Sequence, residues 1–430
     1  MTTPSSGGTL SLWSASRLFS PRVTYLLTYS VLYSSPCTSC CSCGLCSRPR
    51  HALPSRAGIQ SGVGDSSCAV STAAADMLAA LLILPAAALQ PRRVHLVVNP
   101  YGGGGAGLAT LDSVLPVFEA AGVEVTTLMT EYAGHAGEMA RTLPLLDGFV
   151  GIGGDGTAHE IANGMLQREA GDRVAIGIIP AGSGNTWAFD LGLEDAKDAA
   201  RVVAAGDTVA VDVMAISSVG EPERVREYAL NIAGYGMPAA VLTQANALRW
   251  LGSAQYELAG LLLILSGQTG YGARLTIEQA DGSVTSRELG DFSFAQAQVN
   301  THMGKKVPFA PGACMDDGLI DLVLVQRSGG ADILRANALA RSGAHVELPF
   351  VEVVRCKSYT LTPQRLPSGL EPSLNLDGEL SGAAPFQAAC VPGALDVFAS
   401  RLNTKVRDTS SELEPQLVLS LLRLLGQDRD

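Results

Sequence analysis

Short apolar runs alternate with helical patterns through the first half of the regular part of the chain. Strand-like runs rich in Val, Ile and Gly occupy residues 94–98, 123–129, 148–152 and 175–179. Segments with apolar residues at helical spacing separate them, at residues 108–121, 136–145 and 158–168. Buried strands that alternate with helices predict a parallel, doubly wound sheet, which we place at residues 91–210.

After residue 210 the strand-like runs follow one another without regular helices between them. They occupy residues 209–216, 228–232, 273–278, 291–300, 319–325, 351–355 and 359–362. Helical spacing occurs at residues 239–265 and 331–343. This pattern favours an antiparallel, β-rich second domain at residues 211–400. A further apolar segment at residues 417–425 predicts a short helix within a C-terminal tail, residues 401–430.

The first 90 residues differ in composition from the rest of the chain. They are rich in Ser, Ala and Cys and contain five arginines, whereas Asp65 and Asp76 are their acidic residues. That composition is typical of a plastid or mitochondrial transit peptide, although a disordered tail also fits it. The apolar stretch before residue 90 is interrupted by Pro85 and is too short to cross a bilayer. We therefore expect no transmembrane segment and a cytoplasmic, peripheral membrane or organellar protein.

The overall charge limits the class of ligand. With 41 acidic and 30 basic residues, the formal charge is −11, which argues against a nucleic-acid partner because such a partner requires a basic face. An anionic nucleotide is still allowed, since glycine loops and helix N-termini bind phosphate through backbone N–H groups.

Three small-residue loops each follow a predicted strand of the parallel sheet. The first is Asn99-Pro100-Tyr101 with the glycines after it, the second is Gly153 to Thr157, and the third runs from Pro180 to Asn185. Loops at the carboxyl ends of neighbouring parallel strands line one crevice, so the three predict a shared phosphate-binding site. Glycines 102, 104 and 107 also fit a dinucleotide fingerprint, but a run of four glycines fits many spacings.

Asp155 is the acidic residue of the second loop, Gly153-Gly154-Asp155-Gly156-Thr157. An aspartate at such an edge can accept the proton of an attacking hydroxyl or hold the metal ion in phosphoryl transfer. The alternative is a capping aspartate in a tight turn.

Together these motifs resemble the diacylglycerol kinase catalytic family, which includes sphingosine kinases, ceramide kinases and bacterial lipid kinases. The resemblance rests on the three loops, on Glu160 and Asn163-Gly164, and on Asp377-Gly378-Glu379, and it covers residues 92–400. It implies a nucleotide-binding α/β domain of the NAD kinase/diacylglycerol kinase type, followed by an all-β antiparallel sandwich domain. The active site is then expected between the two domains.

The resemblance also implies roles for individual residues, with ATP and Mg²⁺ as cofactors. Residues expected to hold the nucleotide are Asn99, Pro100, Tyr101, Thr130, Gly134, Gly153, Gly154, Gly156, Thr157, Glu160, Gly182, Ser183, Gly184, Arg249, Asp377 and Gly378. The general base is Asp155 by likeness to sphingosine kinases, or Glu379 by likeness to the bacterial enzymes. Asp316 and Asp317 resemble a segment that carries a structural magnesium, although a plain turn before a strand fits equally well.

The expected reaction is transfer of the ATP γ-phosphoryl group to a lipid hydroxyl, with the lipid reached by peripheral contact with a membrane. Sphingosine kinases place acidic residues against the sphingoid amine, and the matching positions here are Ala240 and Leu242. A sphingoid base therefore has to be weighed against diacylglycerol or ceramide. The apolar residues 241–265 are either the wall of a lipid site or core. An NAD kinase-type enzyme and a catalytically silent lipid-binding protein are the remaining alternatives.

Overall fold

The computed structural model describes residues 91–400, except 249, 251–254, 268–269, 305 and 327–329. The predicted transit peptide or tail, the predicted C-terminal helix and Arg249 lie outside the described residues. Within the described part, no helix is long and apolar enough to cross a membrane.

A four-stranded parallel sheet forms the first half. Its strands are β1 (Arg93–Val98), β2 (Glu124–Met129), β3 (Gly148–Gly153) and β4 (Ile176–Pro180). They lie in the order β2–β1–β3–β4, and every neighbouring pair is parallel. Strand β3 is buried along its whole length, as a central strand covered on both faces should be.

Helices connect these strands and cover the sheet. They are α1 (Ala106–Ala120), α2 (His135–Thr142), α3 (Asp155–Leu166), α4 (Thr186–Asp190) and α5 (Ala196–Ala205). Helices α2 and α3 pack very closely, because a Cβ built on Gly164 would lie 2.1 Å from the carbonyl oxygen of Gly137. Buried Val, Ile and Leu of the strands and Phe118, Ile161 and Trp187 of the helices form one apolar core.

Antiparallel strands make up the second half. They are β5 (Thr208–Ser218), β6 (Glu221–Ala229), β7 (Ile232–Gly236), β8 (Tyr271–Gln279), β9 (Val284–Gln298), β10 (Ile320–Gln326), β11 (Val351–Arg365), β12 (Ser373–Leu376), β13 (Glu379–Ala383) and β14 (Phe386–Phe398). Strands β8, β9, β10 and β11 form a closed ring of pairings. These strands enclose a second apolar core as the two layers of a sandwich, and the long strands β9 and β11 take part in both layers.

Three helices accompany these strands: α6 (Met237–Ala247), α7 (Gln255–Leu265) and α8 (Gly330–Ala340). The sequence predicts one helix over residues 239–265, whereas the structure has two. It also predicts a break between residues 355 and 359, where β11 is continuous, and a strand over residues 228–232, where β6 ends and β7 begins.

Strand β14 joins the two halves. Over most of its length it pairs antiparallel with β5 and β11, and at Val397 it pairs in parallel with Ile176 of β4. Its terminal Phe398 packs under β3 and β4, so closely that a Cβ on Gly148 would lie 2.7 Å from the ring. Residue 210, the predicted domain boundary, lies inside β5. The predicted fold class, a parallel α/β part followed by an antiparallel β part, is confirmed.

Candidate active site

The three glycine loops meet at the carboxyl edge of the parallel sheet. A Cβ built on Gly182 would lie 2.5 Å from the Cα of Gly154, and one on Gly103 would lie 2.1 Å from the carbonyl oxygen of Ala181. The loops after β1, β3 and β4 are therefore in direct backbone contact, which glycine alone allows. By contrast, a Cβ on Gly104 would meet no atom within 4 Å. The loops thus leave open space beside exposed backbone, the arrangement that suits a phosphate chain.

Asn99 fixes the first of these loops. Its Oδ1 accepts hydrogen bonds from the backbone N–H groups of Tyr101 and Gly102, at 3.0 and 3.1 Å, and its Nδ2 donates to Thr157 Oγ1 at 3.3 Å. Pro100 lies within this turn, and Tyr101 after it is 78% exposed. The side chain of Asn99 therefore orients the loop relative to α3.

Asp155 is the first residue of α3. Its two carboxylate oxygens accept hydrogen bonds from the backbone N–H groups of Trp187 (2.9 Å) and Thr186 (3.1 Å). The side chain thus caps the short helix α4 rather than its own helix, and it joins the second loop to the third. Burial raises the pKa of Asp155, helped by the nearby carboxylates of Asp377 and Asp190, while the two N–H bonds act in the opposite direction.

The third loop is held by its own asparagine. The amide of Asn185 accepts a hydrogen bond from the N–H of Gly182 and donates one to its carbonyl oxygen, both at 2.8 Å. Ser183 between them is exposed, and a Cβ on Gly184 would lie 2.9 Å from Asp155 Oδ2. Gly184 therefore lets the loop approach the carboxylate closely.

Glu379 reaches the same place from the second half of the chain. Strands β12 and β13 are joined by the two-residue turn Asp377-Gly378, whose φ values of 50° and 96° fit a type I′ hairpin turn. Glu379 follows this turn and is exposed, and its Oε1 lies 4.0 Å from the Cβ position on Gly156. Glu379 and Asp155, the two rival candidates for the base, are thus both placed around the start of α3.

Glu160 acts on the loop between β2 and α2. Its Oε1 accepts from the N–H of Gly134 at 2.8 Å, and its Oε2 accepts from the N–H of Ala136 at 3.1 Å. The same loop begins at the buried Thr130, whose N–H donates to the carbonyl oxygen of Val98. Glu160 therefore holds this loop beside the glycine loops through backbone contacts.

His159, the residue before Glu160 on α3, contacts two carboxylates from the second half of the chain. Its Nδ1 lies 2.7 Å from Asp377 Oδ2, and its Nε2 lies 2.9 Å from Glu227 Oε1. These hydrogen bonds raise the pKa of His159 to about 10, although burial acts against the charged form. The ring is thus a cation that donates to both carboxylates. The partners lie 218 and 68 residues away in the chain, so no local motif revealed them.

A second polar network lies behind the glycine loops, at the other end of α4. Asp190 Oδ1 lies 2.5 Å from His302 Nδ1, and Asp190 Oδ2 accepts from Asn300 Nδ2 at 2.8 Å. Asn300 also donates to Asn231 Oδ1 at 2.7 Å. All four residues are buried. Helix α4 is therefore fixed by Asp155 at its start and by the second half of the chain at its end.

Asp316 and Asp317 lie away from the glycine loops, before β10. Asp317 accepts from the N–H of Leu319 at 3.0 Å and pairs with Arg355, and Asp316 accepts from the thiol of Cys314. Among the described residues no group of three or more His, Cys, Asp or Glu side chains is placed to hold a metal ion. A magnesium ion at Asp316 and Asp317 stays a prediction.

Comparison with known proteins agrees with this architecture. The sequence-family model of the diacylglycerol kinase catalytic domain matches residues 93–216. The family model of the YegS C-terminal NAD kinase beta sandwich-like domain matches residues 231–399. Residues 93–216 therefore belong to the diacylglycerol kinase catalytic-domain family, and relatives of the chain include lipid kinases of three kinds.

Three relatives illustrate that range. The chain is 26% identical to sphingosine kinase 1 of Arabidopsis thaliana over 64% of this chain and 65% of that protein, and 32% identical to human ceramide kinase over 41% and 36%. It is 28% identical to a diacylglycerol kinase of Mycobacterium tuberculosis over 72% and 96%. The chain thus spans less than two thirds of the first two relatives.

A solved structure of a diacylglycerol kinase from Bacillus anthracis has the same fold. It superposes with a TM-score of 0.53 at 21% identity, over 72% of this chain and 97% of that one. The second domain in this family is the sandwich that the sequence predicts.

Proposed function

We propose that this protein is an ATP-dependent lipid kinase that transfers the γ-phosphoryl group to a lipid hydroxyl. The observation that carries the proposal is the placement of Asp155 and Glu379 around the start of α3, where three glycine loops meet. The glycine loops fit a nucleoside triphosphate, because they combine close backbone approach with the open space at Gly104.

The chain's own residues would act mainly by positioning, which is the main requirement in phosphoryl transfer. The backbone of the three loops and the N-terminus of α3 hold the phosphates, and Asn99 and Glu160 orient these loops. Mg²⁺, when bound with ATP, would neutralise charge on the phosphate oxygens. The exposed carboxylate of Glu379 would hold this ion, since magnesium sites usually combine substrate phosphates with one or two carboxylates.

Asp155 is our candidate for the general base. The acceptor hydroxyl gives its proton to the Asp155 carboxylate while its oxygen forms a bond to the γ-phosphorus, and the bond from that phosphorus to ADP breaks. The raised pKa of Asp155 suits this role, because a base is more effective when its pKa is closer to the working pH. Glu379 is the rival: its backbone pairs with Leu376 in the β12–β13 hairpin, whereas its side chain is exposed and hydrogen-bonds to none of the described residues.

A pocket lined by Leu380, the residue after Glu379 on β13, is the candidate site for the lipid headgroup. It has a volume of about 170 Å³ and lies between α6 and β13, with Tyr235, Ala240, Thr243 and Leu380 in its wall. Its acidic residue is the exposed Glu371. Ala240 occupies the position at which sphingosine kinases carry an acid, so a neutral acceptor such as diacylglycerol or ceramide is favoured over a sphingoid base.

Helix α7 offers a surface for contact with the membrane. Tyr256, Leu258, Leu262 and Leu265 are 37–70% exposed along it, and Trp250 before it is 79% exposed. Leu258, Leu262 and Leu265 are spaced by four and three residues, which places them on one helix face. An exposed apolar face of this kind supports peripheral insertion into the interface of a bilayer.

The test is transfer of label from γ-labelled ATP by the purified full-length chain, with Mg²⁺. Vesicles containing sphingosine, ceramide or diacylglycerol are compared with NAD in solution, and Asp155→Asn is the control. We expect label in a neutral lipid, and loss of that label in the variant. Label only in sphingosine would overturn the neutral acceptor, and label only in NAD would overturn the lipid kinase. Lipid binding without label in any product would indicate a catalytically silent protein.

A further inference from the structure

His159 lies one helical turn after Asp155 on α3, so the two side chains share a face of the helix. Asn163, one turn further, continues that face: its Oδ1 accepts from the N–H of Tyr228 and its Nδ2 donates to the carbonyl oxygen of Tyr228. The face of α3 that begins with Asp155 therefore docks onto the end of β6 through polar contacts.

Asp377 is the point where this face meets the β12–β13 turn. Besides the contact with His159, its carboxylate accepts from the N–H groups of Leu230 (2.7 Å), Asn231 (2.8 Å) and Ile232 (2.8 Å). Its side chain is 2% exposed. The link between β6 and β7 and the turn before Glu379 are therefore held by one carboxylate, and His159 connects that carboxylate to α3.

Around His159, acidic side chains outnumber basic ones. Asp155, Asp377 and Glu227 bring three carboxylates to one region, and His159 is the cation in contact with two of them. The His159 side chain is 12% exposed, so water screens these contacts weakly. Without the cation, repulsion between the carboxylates would push the turn before Glu379 away from Asp155.

We propose that His159 is a positioning residue for the phosphoryl transfer: by bridging Asp377 and Glu227 it sets the distance between Asp155 on α3 and Glu379 on the β12–β13 hairpin. This inference rests on the proposed function for its catalytic meaning. The bridge itself is a structural relationship that a method independent of activity can measure.

The first arm of the test measures this bridge without any assay of activity. Hydrogen exchange is followed in full-length wild type, His159→Gln and the matched control His345→Gln, which alters another buried histidine that contacts Phe309 in the second half of the chain. We expect at least tenfold faster exchange in His159→Gln at the amides of residues 230–232 and 378, and none of this change in His345→Gln. Unchanged exchange at these amides in His159→Gln overturns the proposal, even if the wild type phosphorylates no lipid.

The second arm is a double-mutant cycle, assayed with whichever lipid the labelling experiment shows to be the acceptor. His159→Gln should lower kcat at least tenfold while the KM for ATP stays within twofold, because the glycine loops keep their contacts. If His159 acts through Glu379, adding His159→Gln to Glu379→Gln should lower kcat no further. Additive losses, or wild-type kcat in His159→Gln, would show a merely structural role. Absence of lipid phosphorylation by the wild type would contradict the proposed kinase function, and the hydrogen-exchange result would still test the bridge.

Discussion

Gly154 and Gly182 touch through their backbones across the candidate nucleotide site. Because a Cβ on Gly182 would lie 2.5 Å from the Cα of Gly154, a methyl group there must push the third loop away from the second. We expect Gly182→Ala to cost about 1–3 kcal/mol, as overpacking does, and to raise the KM for ATP at least tenfold. Steady-state kinetics and thermal unfolding measure both effects.

The control for this variant is Gly171→Ala. Gly171 lies between α3 and β4, and a Cβ there would meet no atom within 4 Å. The control should keep the KM for ATP. Equal KM values in the two variants would mean that contact between the loops does not matter for nucleotide binding.

Asp155→Asn separates catalysis from stability. The amide keeps the shape of the side chain but does not accept the proton, so we expect kcat to fall by two orders of magnitude or more while ATP binding persists. A carboxyl group whose pKa is raised by burial stabilises the fold at low pH and loses this contribution as pH rises through its pKa. In Asp155→Asn the removal of a buried charge is opposed by the loss of one of the two N–H bonds at the start of α4, because Nδ2 does not accept a hydrogen bond. We therefore expect the variant to unfold close to the wild-type temperature at pH 7.5. Full activity in Asp155→Asn together with inactivity of Glu379→Gln would assign the base to Glu379.

Glu160→Ala should weaken ATP binding without touching the chemistry of transfer. The substitution leaves the N–H groups of Gly134 and Ala136 without their acceptor, so the loop at residues 130–134 loses its attachment to α3. We expect a fivefold or larger increase in the KM for ATP, and kcat within twofold of wild type at saturating ATP. A large fall in kcat at saturation would instead place Glu160 in direct contact with the reacting groups.

The ion pairs of His159 predict how stability depends on pH. The groups facing the ring are Asp377 and Glu227, with Asp155 further along α3. The folded-state pKa of about 10 lies above the ordinary value near 6.5, so the stabilisation is complete below about pH 6.5 and is lost as pH rises towards 10. The difference in melting temperature between wild type and His159→Gln should be larger at pH 6 than at pH 10. A constant difference would show that the ring is neutral throughout.

The apolar face of α7 predicts a separation of membrane binding from catalysis. Leu262→Asp places a charge on the exposed face, so we expect at least fivefold weaker sedimentation with vesicles. Activity towards a short-chain acceptor in solution should stay within twofold of wild type. Val284→Asp is the matched control, since Val284 is 66% exposed on β9 and outside this face. An equal loss of vesicle binding in both variants would mean that the added negative charge weakens binding wherever it lies, and that the apolar face of α7 has no special role.

The sequence predicted the strands that alternate with helices, because buried β-branched runs such as residues 94–98 and glycine-terminated strands such as β3 carry strong local signals. Strand β14 was not predicted from the sequence, because Pro392-Gly393 is a pair of residues typical of turns. In the structure these residues form an irregularity in the pairing with β5, between Val391 and Leu395. A strand that tolerates such an interruption is fixed by its neighbours, which local pattern does not contain.

In the candidate site, too, the local motifs were predictable from the sequence and the long-range contacts were not. The glycine loops and Asp155 are readable because each is a continuous motif between a strand and a helix. The roles of Asp190, Glu227 and Asp377 depend on partners far away in the chain: Asp190 is bonded to His302, 112 residues later. Such pairs are set by how the two halves of the chain pack, and a single sequence holds no local trace of them.

Strand β14 has a consequence for how the protein is made. The parallel sheet that carries the glycine loops is completed on its β4 side by residues near 397, and Phe398 fills the space under Gly148 and Gly177. During synthesis the half that carries the glycine loops therefore leaves the ribosome well before its last strand does. We expect a chain cut after residue 210 to expose β4 and to aggregate, and the candidate active site to form only once the chain has been translated as far as Phe398.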